Sequence, residues 1–365
     1  MKVRKNKKNK FLHLLFLLVF AYSCSDKQTV RIVGDIPNLP DGTLYLWKGT
    51  MLDKIDSVET SKGHFEINYK AEEKLPVYIG IFHRDKKKIQ RVFGFLTSVP
   101  QWGSPTFMSD PLITIKGNLE EYTPVNMTLP PDVIFINSPK IQAGKQTEAL
   151  FNTGDVIFTN SSPNNINTIK EKLKKYPYSY HILYNIIGNK TVFNTQQTDD
   201  FLKLFDDEVK RSKPYKKLLE YNNRAKEVEK IKVPQLENTE GKKVAVVDPN
   251  YKKHLLVFWA SWCGPCRMEI PMLKKVYGEK GKEIEFISIS IDDDKNAWKK
   301  ALLEEKMPWK QFFINSKSDA YNDLQILFKF NSAIPYTALI DNNMKILSSS
   351  TGLSNEEELK KIINK

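Results

Sequence analysis

The chain has 365 residues, 41% hydrophobic and 27% charged, enough to bury the cores of roughly two to three domains and too apolar for a disordered chain. Its 56 Lys and Arg outnumber 43 Asp and Glu, but six of those cations stand in the first ten residues. The remaining surplus of seven, spread without an aromatic-interleaved basic patch, argues against nucleic acid as a partner. Three cysteines exclude a multi-disulfide scaffold, and the apolar runs exclude a multispan membrane protein.

In chain order, residues 1–10 (MKVRKNKKNK) are basic, and residues 11–23 (FLHLLFLLVFAYS) form an apolar stretch too short to span a bilayer comfortably. A basic region, a short apolar core and the small residues Ala21 and Ser23 before Cys24 make the pattern of a secretion signal. It resembles a bacterial lipoprotein signal. The resemblance implies that residues 1–23 are removed, that Cys24 carries acyl chains, and that the mature protein is anchored to a membrane of the cell envelope, facing the periplasm. Ser25 and Asp26 do not choose between inner and outer membrane, and the plain alternative is an ordinary signal peptide followed by a free Cys24.

Residues 24–136 alternate apolar and polar side chains in short runs such as TVRIVGD, TLYLWKG, HFEINYK, VYIGIFH and LITIKGN. With turn signals at Pro40-Asp41-Gly42 and Ser61-Lys62-Gly63, they predict an antiparallel β-sandwich-like domain without a catalytic cluster. Over residues 137–232 the period changes to three and four, in INTIKEKLKKY, SYHILYNII and DDFLKLFDDEVKRSKPYKKLLEY. This predicts a helical middle segment whose Lys and Glu make a solvated face, used for support and spacing, with partner binding as the alternative. Beyond Pro234 strands and helices alternate to residue 365, which predicts a third domain over 233–365.

The chemistry concentrates in HLLVFWASWCGPCRMEIPMLKKVY, residues 254–277, where an apolar strand ends at Trp-Cys-Gly-Pro-Cys and a helix follows. A zinc site of this spacing needs two further ligands, for which the remaining cysteine and five scattered histidines make no set, so no metal is expected. Covalent haem needs His after the second cysteine, where Arg267 stands. A structural disulfide over two intervening residues would remove little unfolded-state entropy. Redox exchange fits better. Cys263, at the strand-to-helix turn, is placed where free amides and the helix dipole favour a thiolate, which makes it the nucleophile. Cys266, one turn inside, resolves the mixed disulfide. Pro265 sets the helix entry, and Gly264 permits close approach of a substrate backbone.

FWASWCGPC resembles the thioredoxin superfamily, and the wider pattern is similar to the TlpA and ResA-like thiol-disulfide oxidoreductases of the bacterial envelope. The match runs from about Val233 to Lys365. It includes Pro271 at the family's helix kink, ISISIDDDKNAW at 287–298, and SAIPYTALID at 332–341, the strand with the family's cis-proline. Upstream, Gly34, LPDGTLYL at 39–46, Asp56-Ser57 and Gly63-His64-Phe65 resemble the N-terminal β-domain of Bacteroidetes lipoproteins that carry such a module. The resemblance implies a C-terminal α/β domain with a central mixed sheet flanked by helices. It also implies a cis Ile334–Pro335 bond opposite the cysteines, with the Ile334 backbone free to pair with an extended substrate.

One position departs from thioredoxin. The buried aspartate six residues before the first cysteine is here Val257, and Glu269 stands where ResA-like proteins place a glutamate. Glu269 is therefore expected to take the proton from Cys266, its pKa raised by partial burial, with a helix-stabilising surface glutamate as the alternative. Trp262 is expected to shield Cys263 and offer an apolar contact surface, while Trp259, Trp298 and Trp309 are expected in the core.

The expected function is thiol-disulfide exchange without a cofactor, reducing disulfide-containing envelope proteins and recharged by a membrane thiol transporter. Apocytochrome c is one client class that the family suggests. Two rivals remain at this level. One is a lipoprotein that binds a ligand or partner through its β-domain, with a redox-responsive module. The other is a thiol peroxidase, against which stands the absence of a Pro-x-x-x-Thr-x-x-Cys pattern at this turn.

Overall fold

Strands form here wherever one face of an alternating run finds a core. The structure, a computed structural model, describes residues 29–72, 74–99, 103–122, 130–137 and 140–365. The expected signal segment and Cys24 lie outside the described residues. The N-terminal strands are β1 (Thr29–Asp35), β2 (Gly42–Lys48), β3 (Lys54–Thr60), β4 (His64–Lys70), β5 (Tyr78–Asp85) and β6 (Gln90–Leu96). They continue with β7 (Gly103–Ser104), β8 (Phe107–Met108), β9 (Leu112–Lys116), β10 (Glu120–Tyr122), β11 (Val133–Asn137) and β12 (Lys140–Gln142).

One sheet runs β12-β9-β1-β4 and the other β10-β11-β6-β5-β2-β3, with β7 and β8 paired onto β6 and β5. Val30 and Ile32 of the first sheet and Leu44, Leu46, Ile79, Ile81 and Phe93 of the second meet in one core, as a sandwich requires. Two pairings, β1 with β9 and β6 with β11, are parallel, so the sandwich is mixed rather than antiparallel throughout. Strand pairing also runs on to Gln142, past residue 136, because β12 adds to β9 over three residues too few to show an alternation.

Helices α1 (Lys145–Thr153), α2 (Pro163–Lys175), α3 (Tyr180–Gly188), α4 (Thr195–Leu204), α5 (Asp207–Arg211) and α6 (Lys213–Ala225) follow. Side chains of Ser162, Ser179, Asn194, Asp206 and Ser212 each accept an N–H of the first turn of the next helix, which cuts the polar-apolar run into separate pieces. Their apolar faces, among them Leu173, Ile182, Ile186 and Phe201, close over a core that includes Met108 of β8. A buried histidine fastens this seam. His181 Nε2 faces the Gly154 carbonyl at 3.2 Å, so it carries the hydrogen, and Nδ1 accepts from the Tyr78 hydroxyl at 2.7 Å. Burial holds the His181 pKa below its ordinary value.

The third sheet contains β13 (Leu236–Asn238), β14 (Lys243–Val244), β15 (Lys253–Trp259), β16 (Glu285–Ser290), β17 (Lys310–Phe313), β18 (Tyr336–Asp341) and β19 (Ile346–Thr351), in the order β14-β13-β17-β16-β15-β18-β19. Helices α7 (Gly264–Lys280), α8 (Lys295–Glu305), α9 (Asp319–Phe328) and α10 (Glu356–Ile363) cover it. The three parallel strands β15, β16 and β17 meet the antiparallel pair β18 and β19, giving the expected mixed sheet. Leu256 and Phe258 face a core with α8 and α9, while Leu255 and Val257 face one with α10 and the later half of α7. Because β15 is buried on both faces, its sequence reads as an unbroken apolar run. It delivers the chain at the middle of the sheet to Cys263.

Candidate active site

Cys263 is the residue that caps α7. Its sulfur accepts the Cys266 N–H at 3.2 Å and its carbonyl accepts the Arg267 N–H at 3.1 Å. The two sulfurs are joined as a disulfide, and the residues are 4% and 3% exposed. Once reduced, Cys263 keeps an amide donor at its sulfur and the positive end of a 17-residue helix beneath it, both of which favour the thiolate. Cys266 lies in the first turn and packs in the core cluster with Trp259 and Ile270, where desolvation favours the neutral thiol.

Gly264 and Pro265 are exposed at the helix entry, and apart from its chain neighbours and the adjoining helix backbone nothing lies within 4 Å of where a Gly264 side chain would begin. The fold itself does not need glycine there, so any demand for it comes from what approaches. Trp262 is 67% exposed and Met268 75%, which makes an apolar rim beside the disulfide. The Trp262 indole thus presents area to solvent, and the burial of Cys263 does not depend on hiding that ring in the core. Trp259, Trp298 and Trp309 are buried, as packing residues should be. Arg267, where a haem site would need histidine, ties α7 to α8 through Glu304 at 2.7 Å and Glu305 at 2.6 Å.

The Ile334–Pro335 bond is cis. Pro335 is buried, its carbonyl accepts the Gly352 N–H at 2.8 Å, and Ile334 packs partly against the core that holds the cysteines. Pro265, Met268, Glu269, Met272, Pro335 and the Ser350–Leu353 strand end line one cleft of about 750 Å³. A larger hollow of about 980 Å³, between the 244–251 loop and β17, contains none of the expected site residues.

Glu269 is 7% exposed, so it is a buried acid and not a surface one. Its Oε1 accepts the Leu353 N–H at 2.6 Å, while Oε2 is buried without a hydrogen-bond partner. Burial raises its pKa above the ordinary carboxylate value, and the Leu353 N–H opposes this in part. The acid is thus tied to the backbone of Leu353, whose side chain belongs to the same core cluster as Val257.

Reading the sequence missed Asp292. This carboxylate is 1% exposed and accepts from the Ser261 N–H at 2.9 Å, the Ser261 hydroxyl at 2.6 Å and the Ser290 hydroxyl at 2.6 Å. It pins the loop from which Trp262 and Cys263 emerge. Asp292-Asp293-Asp294 reads as one acidic helix start, but Asp293 bonds Ser316 and Asp294 caps α8. The signal, three acids after an apolar strand, was visible; its division of labour was not.

The Redoxin family matches residues 222–363. ResA of Bacillus subtilis (strain 168), a thiol-disulfide oxidoreductase, is 28% identical over 131 residues, which cover 35% of this chain and 69% of ResA. The C-terminal domain belongs to the thioredoxin superfamily. Within it the chain is TlpA/ResA-like and stands among the thiol-disulfide oxidoreductases. The thioredoxin of Mycolicibacterium smegmatis is 39% identical over 61 residues, 14% of this chain and about half (54%) of that protein. A solved thiol-disulfide oxidoreductase from Bacteroides fragilis NCTC 9343 is 26% identical, with a TM-score of 0.31, covering 36% of this chain and 94% of that one. These likenesses lie in the thioredoxin-like domain.

Proposed function

We propose that this chain reduces disulfides of envelope proteins by dithiol-disulfide exchange at Cys263 and Cys266. The Cys263 thiolate attacks one client sulfur, forms a mixed disulfide and expels the other client sulfur as a thiolate. Glu269 accepts the Cys266 proton through Oε2. The Cys266 thiolate then attacks the Cys263 sulfur, releases the second client thiol and leaves the Cys263–Cys266 disulfide. Two electrons thereby pass to the client, and a membrane thiol transporter supplies the next two. Trp262, Gly264, Pro265, Ile334 and Pro335 form the surface that receives an extended client segment.

The observation that carries this reading is the joined cysteine pair at a helix N-terminus beside a buried carboxyl with one unpartnered oxygen. The signal pattern at residues 1–23 supports export, with Cys24 as the lipid-bearing residue and the periplasm as the compartment. The reduction potential of the pair in glutathione or dithiothreitol buffers tests the direction of electron flow. A value near thioredoxin's, roughly −270 mV, is expected; one near roughly −120 mV would make the protein a disulfide donor.

A further inference from the structure

Three residues before the cis-proline, Ser332 has φ of +73°, a left-handed conformation that residues with a side chain seldom adopt. Such a conformation persists where the surroundings over-determine it. Here helix α9 does so. The Ser332 hydroxyl accepts from the Tyr321 hydroxyl at 2.7 Å and from Gln325 Nε2 at 2.8 Å, which fills both lone pairs of its oxygen. Tyr321 and Gln325 are 6% and 2% exposed, so two buried residues spend their donors on the exposed Ser332, and each would lose that partner without its oxygen. Being four residues apart, they lie on one face of α9, and the same helix end accepts the Tyr336 hydroxyl at the Phe328 carbonyl, 2.7 Å away. The loop leading to Ile334–Pro335 is thus held at Ser332 on one side and at Tyr336 on the other.

We propose that Ser332, clamped by Tyr321 and Gln325, is a positioning residue for client recognition: it fixes the edge at Ile334–Pro335 against which an extended disulfide-bearing segment docks. This rests on the reductase reading. Ser332 touches neither sulfur in the hydrogen-bond pattern, so its effect falls on docking and not on electron transfer. A small misplacement of a docking edge weakens capture of a macromolecular client while sparing a small disulfide that needs no edge.

The test uses the full chain with two substrates, insulin as a protein disulfide and the small aromatic disulfide of Ellman's reagent, together with the reduction potential. Ser332→Gly adopts the backbone conformation freely but has no oxygen to accept, and Tyr321→Phe removes one donor. We expect the KM for insulin to rise about fivefold in Ser332→Gly and about twofold in Tyr321→Phe. The rate with the small disulfide and the potential should stay at wild-type values. An unchanged KM for insulin in both variants, whatever happens to thermal stability, overturns the clamp's role in recognition. Equal losses on both substrates also overturn it, since they place the effect on the cysteines. A wild-type protein that reduces neither substrate overturns the reductase reading itself and the clamp's role with it.

Discussion

Glu269 and Glu285 stand at opposite ends of the thioredoxin-like sheet, 7% and 4% exposed, and their pKa values move in opposite directions. At the cysteine end, burial raises Glu269, and a lone backbone N–H opposes it. At the far end burial also pushes Glu285 up, but it is outweighed by His254 Nδ1 at 2.6 Å, the Asp248 N–H at 2.9 Å and the Lys310 ammonium, so Glu285 is held down. His254 is raised in return, because its bonds to Glu285 and Asn342 overcome desolvation. The difference teaches what each end is for. A carboxylate matched with cations is a fixed charge that holds strands together, whereas one left short of partners holds a proton more readily and is suited to pass it on.

Removing His254 should break the comparison most visibly. His254→Ala leaves Glu285 buried with only the Asp248 N–H and Lys310 as partners, and we expect a loss of about 3 kcal/mol in urea unfolding with exchange activity per folded molecule intact. The pH dependence carries a definite sign. His254, raised from 6.5, contributes stability that is complete below that value and is lost as pH rises through its folded pKa. Glu285, lowered from 4.5, contributes stability that is complete above that value and is lost as pH falls through its folded pKa. The gap between wild type and His254→Ala should therefore be widest between about pH 4.5 and 6.5 and should narrow on either side.

At the other end, Glu269→Gln keeps an oxygen for the Leu353 N–H and removes the titrating group. Resolution of the mixed disulfide should slow by about a hundredfold in stopped-flow exchange at neutral pH. Because the folded protein holds the proton of Glu269 more tightly than the unfolded chain, the variant should be more stable than wild type at neutral pH. That advantage should vanish below the ordinary carboxylate value. A rate unchanged in Glu269→Gln would remove the proton role. The smallest effect is expected from the exposed pair Arg224–Asp323, bonded at 2.8 and 2.9 Å between α6 and α9. Arg224→Ala should leave the urea midpoint close to that of wild type, since this cation gains little by pairing in water. A clear fall in that midpoint would show that charge pairing matters here even without burial.

The sequence showed what is local. Cys-Gly-Pro-Cys, the strand before it and the helix after it are contiguous, and Glu269 followed from helical spacing with the family's pattern. The alternation of β1, β4 and β9 was legible because one face of each is buried, whereas β3 (KIDSVET), a half-exposed edge strand, shows none. What stayed hidden are pairings made by the sheet itself. Ser261 meets Asp292, and His254 meets Glu285, each 31 residues away, because β15 and β16 run side by side. No spacing rule reports such a register. Ser332 was hidden for another reason: a left-handed serine looks like any other serine in a loop.

The seam between Tyr78 and His181 has a consequence for how the molecule opens. Phe151 packs against both the sandwich core and the helical core, and Met108 of a strand lies within the helical one. Strands and helices upstream of Ala225 therefore share buried area and open cooperatively, as one unit. The thioredoxin-like domain has two core clusters of its own. Both cysteines lie in one of these clusters and neither lies in the upstream cores, so making or breaking the Cys263–Cys266 bond acts directly on the packing of only one of the two units, which the Arg224–Asp323 pair joins at the surface.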